Sequence, residues 1–275
     1  VSNKINKRAA AHRVEILRSG PAGKWARRAD QVAVEEPLEI RVRGRSVAVT
    51  MRTPGHDDEL AAGFLLTEGI VRRGKDIIGI ASCAASPEPD NTLNVFLAAG
   101  VKVDFERLTR HVFAASSCGL CGKASIDSVQ EHFPPVNSSM TIRAKTILAL
   151  PEKMARAQRT FSRTGGLHAA AIFDARGKLI VLREDIGRHN AVDKVIGYGL
   201  LKEKMPYDKC VLLVSGRASF EIMQKALAAR VPVICAVSAP SSLAVEFARE
   251  SGQTLVGFLR AETMNIYSFP DRIGR

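Results

Sequence analysis

Aromatic residues make up only 5% of this chain. No zinc-finger, RNA-recognition or basic-zipper pattern accompanies its net charge of +12, so nucleic acid is not expected as a partner. Long apolar runs are also missing. None approaches the length of a membrane span, and the basic N-terminus lacks the apolar stretch of a signal peptide, so a cytoplasmic protein with no membrane partner is expected. No Walker loop, no G-x-G-x-x-G and no serine triad is legible. Cysteine is scarce, five in 275 residues, an odd number that fits reduced thiols better than a disulfide framework.

What is present describes a globular protein. With 46% hydrophobic and 25% charged residues, the chain can bury one sizeable core or two smaller ones. The charge is uneven. Residues 1–30 hold eight Lys and Arg against Glu15 and Asp30, half of the whole excess, and read as a basic, partly disordered tail; a polyanion-binding arm is the alternative. A small molecule bearing phosphates would also suit a basic protein.

Chemistry concentrates in Ser116-Ser117-Cys118-Gly119-Leu120-Cys121-Gly122-Lys123. Two thiols lie three residues apart among glycines that leave the sulfurs open, and a helix expected to start after Cys121 favours a thiolate through its dipole. A structural zinc site would need a second pair, yet Cys83, Cys210 and Cys235 are single and widely spaced, so no metal is expected. A thioredoxin-like motif would follow a strand closely, which residues 100–118 do not suggest. A dithiol oxidoreductase nevertheless stays open on a lone C-x-x-C, and two buried small hydrophobes are the structural alternative.

Alternation of apolar residues predicts a hairpin from Leu38, Ile40 and Val42 with Val47, Val49 and Met51 facing the same core. A helix capped by Asp57 and a second strand pair, 77–84 with 93–97, complete an N-terminal α+β segment, 31–133, built on antiparallel hairpins. A Pro- and Ser-rich stretch from 134 marks a boundary. Beyond it, in 134–275, strands and helices alternate as in a layered α/β domain with a largely parallel sheet, where ligands bind at the carboxyl ends of strands. Four loops follow strands: 184–190, 215–219, 238–242 and 260–263. Together, with Arg188, Arg217 and Arg260, they read as a cradle for an anionic ligand. His168, Asp185 and His189 are the acid and base candidates beside it.

The motifs Asp58-Glu59-Leu60-Ala61-Ala62-Gly63-Phe64-Leu65-Leu66-Thr67-Glu68-Gly69, Cys118-Gly119-Leu120-Cys121-Gly122, Thr164-Gly165-Gly166-Leu167-His168 and Glu184-Asp185-Ile186-Gly187-Arg188-His189-Asn190 occur in this order, followed by Ser215-Gly216-Arg217-Ala218-Ser219. On these residues the chain resembles the formate dehydrogenase accessory sulfurtransferases, the FdhD family of sulfur carriers. That resemblance implies a cytidine deaminase-like fold for 134–275 and a homodimer. It further implies sulfur taken as persulfide from a cysteine desulfurase and passed to molybdenum bis(molybdopterin guanine dinucleotide) before that cofactor enters formate dehydrogenase. By motif position Cys118 is the persulfide-forming cysteine and Cys121 its partner. Phe258, Leu259, Arg260, Ala261, Glu262 and Thr263 match the cofactor-binding segment. A cofactor-binding chaperone without sulfur transfer and a dithiol oxidoreductase are the alternatives.

Overall fold

The computed structural model describes residues 9–105 and 133–274. Cys118, Cys121 and the helix expected after them lie outside the described residues. Where the charge run predicts a disordered tail, residues 11–33 form an antiparallel hairpin of β1 (Ala11–Ser19) and β2 (Trp25–Ala33), turned by Gly23 at φ 70°. Cross-strand pairing satisfies the backbone even though nearly every hairpin side chain is exposed.

Strands β3 (Glu36–Val42), β4 (Arg45–Arg52), β5 (Ile77–Ser82) and β6 (Thr92–Leu97) make a four-stranded sheet in the order β4-β3-β6-β5, antiparallel except where β3 meets β6. Leu38, Ile40 and Val42 face the core as their alternation requires. Their partners do not follow the simple pattern. A bulge at Ile40/Arg41 shifts the register and turns Val47, Ala48 and Arg52 inward, leaving Val49 and Met51 60% and 48% exposed. Helix α1 (Asp57–Thr67) packs beneath this sheet. Asp57 does not cap it; its carboxylate takes two bonds, 3.0 and 2.9 Å, from the buried Arg52 guanidinium.

After β7 (Ile142–Arg143) come three short helices, α2 (Ala144–Leu148), α3 (Leu150–Ala157) and α4 (Phe161–Thr164). Then follow β8 (His168–Asp174), β9 (Leu179–Asp185), α5 (Arg188–Leu201), β10 (Cys210–Val214), α6 (Phe220–Ala228), β11 (Val233–Ala236), α7 (Ser242–Glu250), β12 (Thr254–Gly257), β13 (Asn265–Ile266) and β14 (Ile273–Gly274). Six of these strands form one sheet in the order β13-β12-β11-β10-β8-β9. It is mixed rather than largely parallel: β10, β11 and β12 pair in parallel, while β8 runs against both β10 and β9, and β13 against β12.

Period-two alternation sends Ala170, Ile172, Leu212, Val214, Ile234 and Leu255 to one face, under α5, α6 and α7. Ala171, Phe173, Leu213 and Cys235 go to the other, under Ile147, Leu150 and Met154 of α2 and α3. The first of these cores runs without a break into the four-stranded sheet through α1. There the backbones nearly touch. A Cβ on Gly63 would lie 1.9 Å from the Asp193 carbonyl oxygen, and one on Gly197 1.8 Å from that of Glu59, so glycine at both positions lets α1 and α5 close together.

Candidate functional site

Strand directions bring the chemistry to one edge. β9, β10, β11 and β12 end there, β8 begins there, and the register sets His168 opposite Asp185. The loops after β9, β10 and β11 enter α5, α6 and α7, whose first-turn N–H groups have no helical partner and face the same side.

Asp185, an acid/base candidate in the sequence, is fully buried and fully engaged. Its carboxylate accepts from the Gly187 N–H at 2.8 Å, Asn190 Nδ2 at 3.0 Å, the Thr53 N–H at 3.2 Å and Lys194 Nζ at 2.6 Å. Lys194 also donates to the Thr53 carbonyl, and Asn190 to that of Met51. The pair therefore fixes the 186–190 turn against the end of β4. It leaves no lone pair for a substrate proton.

What the turn presents is Arg188 and His189. A Cβ on Gly216 would lie 3.4 Å from His168 Nδ1 and 3.9 Å from Arg188 Cδ, so those two side chains flank the bare glycine backbone. Arg188 Nε is buried with no hydrogen-bond partner among the described residues. His189 Nε2 lies 3.5 Å from Ser219 Oγ, at the start of α6, and 3.9 Å from Glu221. Burial, then Lys225 and Arg188, pull the His189 pKa down to about 4. Burial, and then Arg188, lower that of His168. Both imidazoles are neutral at pH 7 and act as hydrogen-bonding groups, leaving the positive charge at this edge to the arginines, since Lys225 Nζ is taken up by Asp193 and Thr67. Such a basin suits phosphate oxygens.

The 258–263 segment closes the same edge after β12. Phe258 sits at φ 50°, a left-handed conformation uncommon for a bulky residue, and is 44% exposed. Leu259 is buried, while Arg260, Ala261, Glu262 and Thr263 are exposed. Arg260 donates from its backbone to the Thr263 carbonyl and from its guanidinium to the carbonyls of Val237 and Leu259. This cation is thus engaged with its own loop, whereas Arg217 is exposed.

One part of the site has no sequence signal. On the face away from α5, α3 and α4 wall a groove of about 670 Å³ that reaches the strand ends at His168, Ser215 and Val237. Its remaining walls include Met154, Gln158 and Phe161. Nothing local in 150–161 marks those residues as neighbours of His168. Among the described residues no group of three or more His, Cys, Asp or Glu is arranged to hold a metal ion, and no helix is long and apolar enough to cross a membrane.

A family model described as the FdhD/NarQ family matches residues 33–274. A sulfur carrier protein FdhD from Mycolicibacterium paratuberculosis is 54% identical over 259 residues, covering 92% of this chain and 95% of its own length. One of the same description from Streptomyces coelicolor is 50% identical over 258 residues, covering 91% and 92%. In structure the chain is similar to a crystal structure named as a formate dehydrogenase accessory protein from Desulfotalea psychrophila. The TM-score is 0.77 and the identity 24%, over 96% of this chain and all of that one.

Proposed function

The chain belongs to the FdhD/NarQ family, and from that premise we propose that it is a sulfur carrier serving formate dehydrogenase. The observation that carries this is identity of about half over nearly the whole length to FdhD sulfur carriers, in a chain that holds the Cys118-x-x-Cys121 pair. The order β9-β8-β10-β11-β12, with β8 reversed, supports the cytidine deaminase-like reading of the C-terminal sheet.

In this reading the Cys118 thiolate attacks the outer sulfur of a cysteine desulfurase persulfide. A new S–S bond forms at Cys118 as the donor's S–S bond breaks, and the donor departs as a thiolate, so no oxidant is consumed. Cys121 then either attacks the outer sulfur, freeing Cys118 as a thiolate, or attacks the sulfur of Cys118 itself, closing a Cys118–Cys121 disulfide as the outer sulfur leaves as sulfide; in the second case a thiol reductant returns the pair to the dithiol. The recipient, molybdenum bis(molybdopterin guanine dinucleotide), is cargo rather than a resident cofactor. Its phosphates fit the strand-end basin, where Arg188 Nε, Arg217 and the starts of α5 and α6 offer donors, with 258–263 at the rim. The carrier works in the cytoplasm as a homodimer.

The test is peptide mass mapping after incubation with a cysteine desulfurase and cysteine. One added sulfur on Cys118, absent in Cys118→Ala, is the expected result. An unmodified Cys118 beside an active donor would leave a cofactor-binding chaperone in its place.

A further inference from the structure

We propose that one face of the N-terminal hairpin, the face that meets α4 at its base and bears Trp25 at its tip, docks an acidic segment of a partner protein carrying an apolar anchor residue.

Alternation along β1 and β2 sends Arg13 and Leu17 to this face together with Arg27 and Trp25, because the register pairs Leu17 with Arg27 and Ser19 with Trp25. Leu17 and Trp25 are therefore diagonal neighbours across the ribbon. They are 62% and 65% exposed, and Trp25 is the single tryptophan of the chain. A scattered exposed leucine needs no explanation, but a tryptophan beside a leucine and an arginine has the composition of an interface anchor. A two-stranded ribbon standing alone is at best marginally stable in water. This one is packed at its base, where a Cβ on Gly166 would lie 3.5 Å from that of Ala33, and the face is open from there to the tip.

Between that base and α4 lies a cavity of about 390 Å³ lined by Arg13, Ala29, Asp30, Gln31 and Arg163. Two guanidinium groups line it against one carboxylate, which already accepts from the Gln31 N–H at 2.8 Å. Among the described residues none of Arg13, Arg27 and Arg163 is in an ion pair. The cavity is thus suited to a carboxylate supplied from outside, since arginine binds that group bidentately. Arg13 and Leu17 are four residues apart on β1, roughly 13 Å, so in an extended partner segment the acid and the apolar anchor are separated by about four residues.

Charge decides among the occupants. Residues 11–33 hold five Lys and Arg against Glu15 and Asp30. A second copy of this chain, at net charge +12, would bring like charge to the face. A nucleic acid would set phosphates against Glu15 and Asp30 and leave Leu17 uncovered. An acidic protein segment answers the cations and covers both apolar side chains. Nothing in this surface depends on sulfur transfer, so a failed loading of Cys118 would leave the role of the hairpin untouched.

The experiment selects random twelve-residue peptides free of tryptophan, displayed on phage, against the full chain. The synthesised winners are then titrated while Trp25 fluorescence is followed, a signal that reads this face because the chain has no other tryptophan. Winners should carry Asp or Glu with a large apolar residue about four positions away, shift Trp25 emission to the blue and bind more weakly as salt rises. Calorimetry should show a loss of tenfold or more in Arg27→Glu, in Trp25→Ser and in Arg163→Glu. All three positions are exposed, and an unchanged melting temperature verifies that each variant is folded. Winners without an excess of acidic residues, winners that bind the variants as tightly as the wild type, or winners that leave Trp25 emission unmoved overturn the proposal. A twelve-nucleotide oligothymidylate that displaces the winners would give the face to nucleic acid instead. Sedimentation showing a self-association that Trp25→Ser abolishes would give it to a second copy.

Discussion

Replacing Gly197 by alanine should damage this fold more than any other single added methyl group considered above. The new Cβ would stand 1.8 Å from the Glu59 carbonyl oxygen, 2.6 Å from its carbon and 2.8 Å from the Gly63 nitrogen. All three are backbone atoms of α1, so no side-chain rotation relieves the clash. A tolerable carbon-to-oxygen separation is roughly 3.3 Å, so α1 and α5 would have to part by about 1.5 Å. Parting them loosens Leu60, Leu65, Val195 and Ile196, all essentially buried in the core they share. Overpacking alone costs about 1–3 kcal/mol, and the loosened core brings the total to roughly 3–5 kcal/mol. At about 2–4 °C per kcal/mol for a chain of this size, the melting temperature should fall by roughly 10 °C. Gly100→Ala is the control, since a Cβ there meets nothing within 4 Å. Urea and thermal unfolding of both variants decide the matter. A Gly197→Ala protein melting within about 2 °C of the control would refute the close-approach reasoning.

Lys225→Met should destabilise by about 3–5 kcal/mol, because it strands the buried Asp193 carboxylate that now receives the ammonium at 2.8 Å; adding Asp193→Asn should recover part of the loss in a double-mutant cycle. His189 holds a folded pKa of about 4 below its ordinary 6.5, so the unfolded chain binds its proton first and stability falls as pH drops from 6.5 toward 4; His189→Gln should flatten that limb of the denaturation profile. Deleting residues 1–33 should leave the remaining fold within a few degrees of its melting point, since the hairpin side chains are nearly all exposed, and should weaken association with the desulfurase or dehydrogenase at low salt more than at high salt. An equal loss of affinity across a salt titration would assign the hairpin a role other than charge.

Local pattern carried much of this protein in one dimension. The alternation in 36–52 placed a hairpin, the strand and helix runs of 168–257 placed each element near its observed position, and the small polar turns after β9, β10 and β11 marked the loops that meet at one edge. The C-x-x-C pair and the ordered motifs identified the family because chemistry of that kind is written in short contiguous stretches. Contacts between distant stretches were decided elsewhere. That β8 runs against β10 depends on how connections cross the sheet, and alternation is blind to strand direction. The bulge at Ile40/Arg41 is a pairing event between two strands, so β4 alone could not announce that Val49 and Met51 face outward. Asp185 reads as an available acid until Lys194 and the end of β4, 132 residues away in the chain, take up its lone pairs. Residue type and spacing set which groups the chain owns, while burial and pairing, which are properties of the folded whole, set which of them stay free to act.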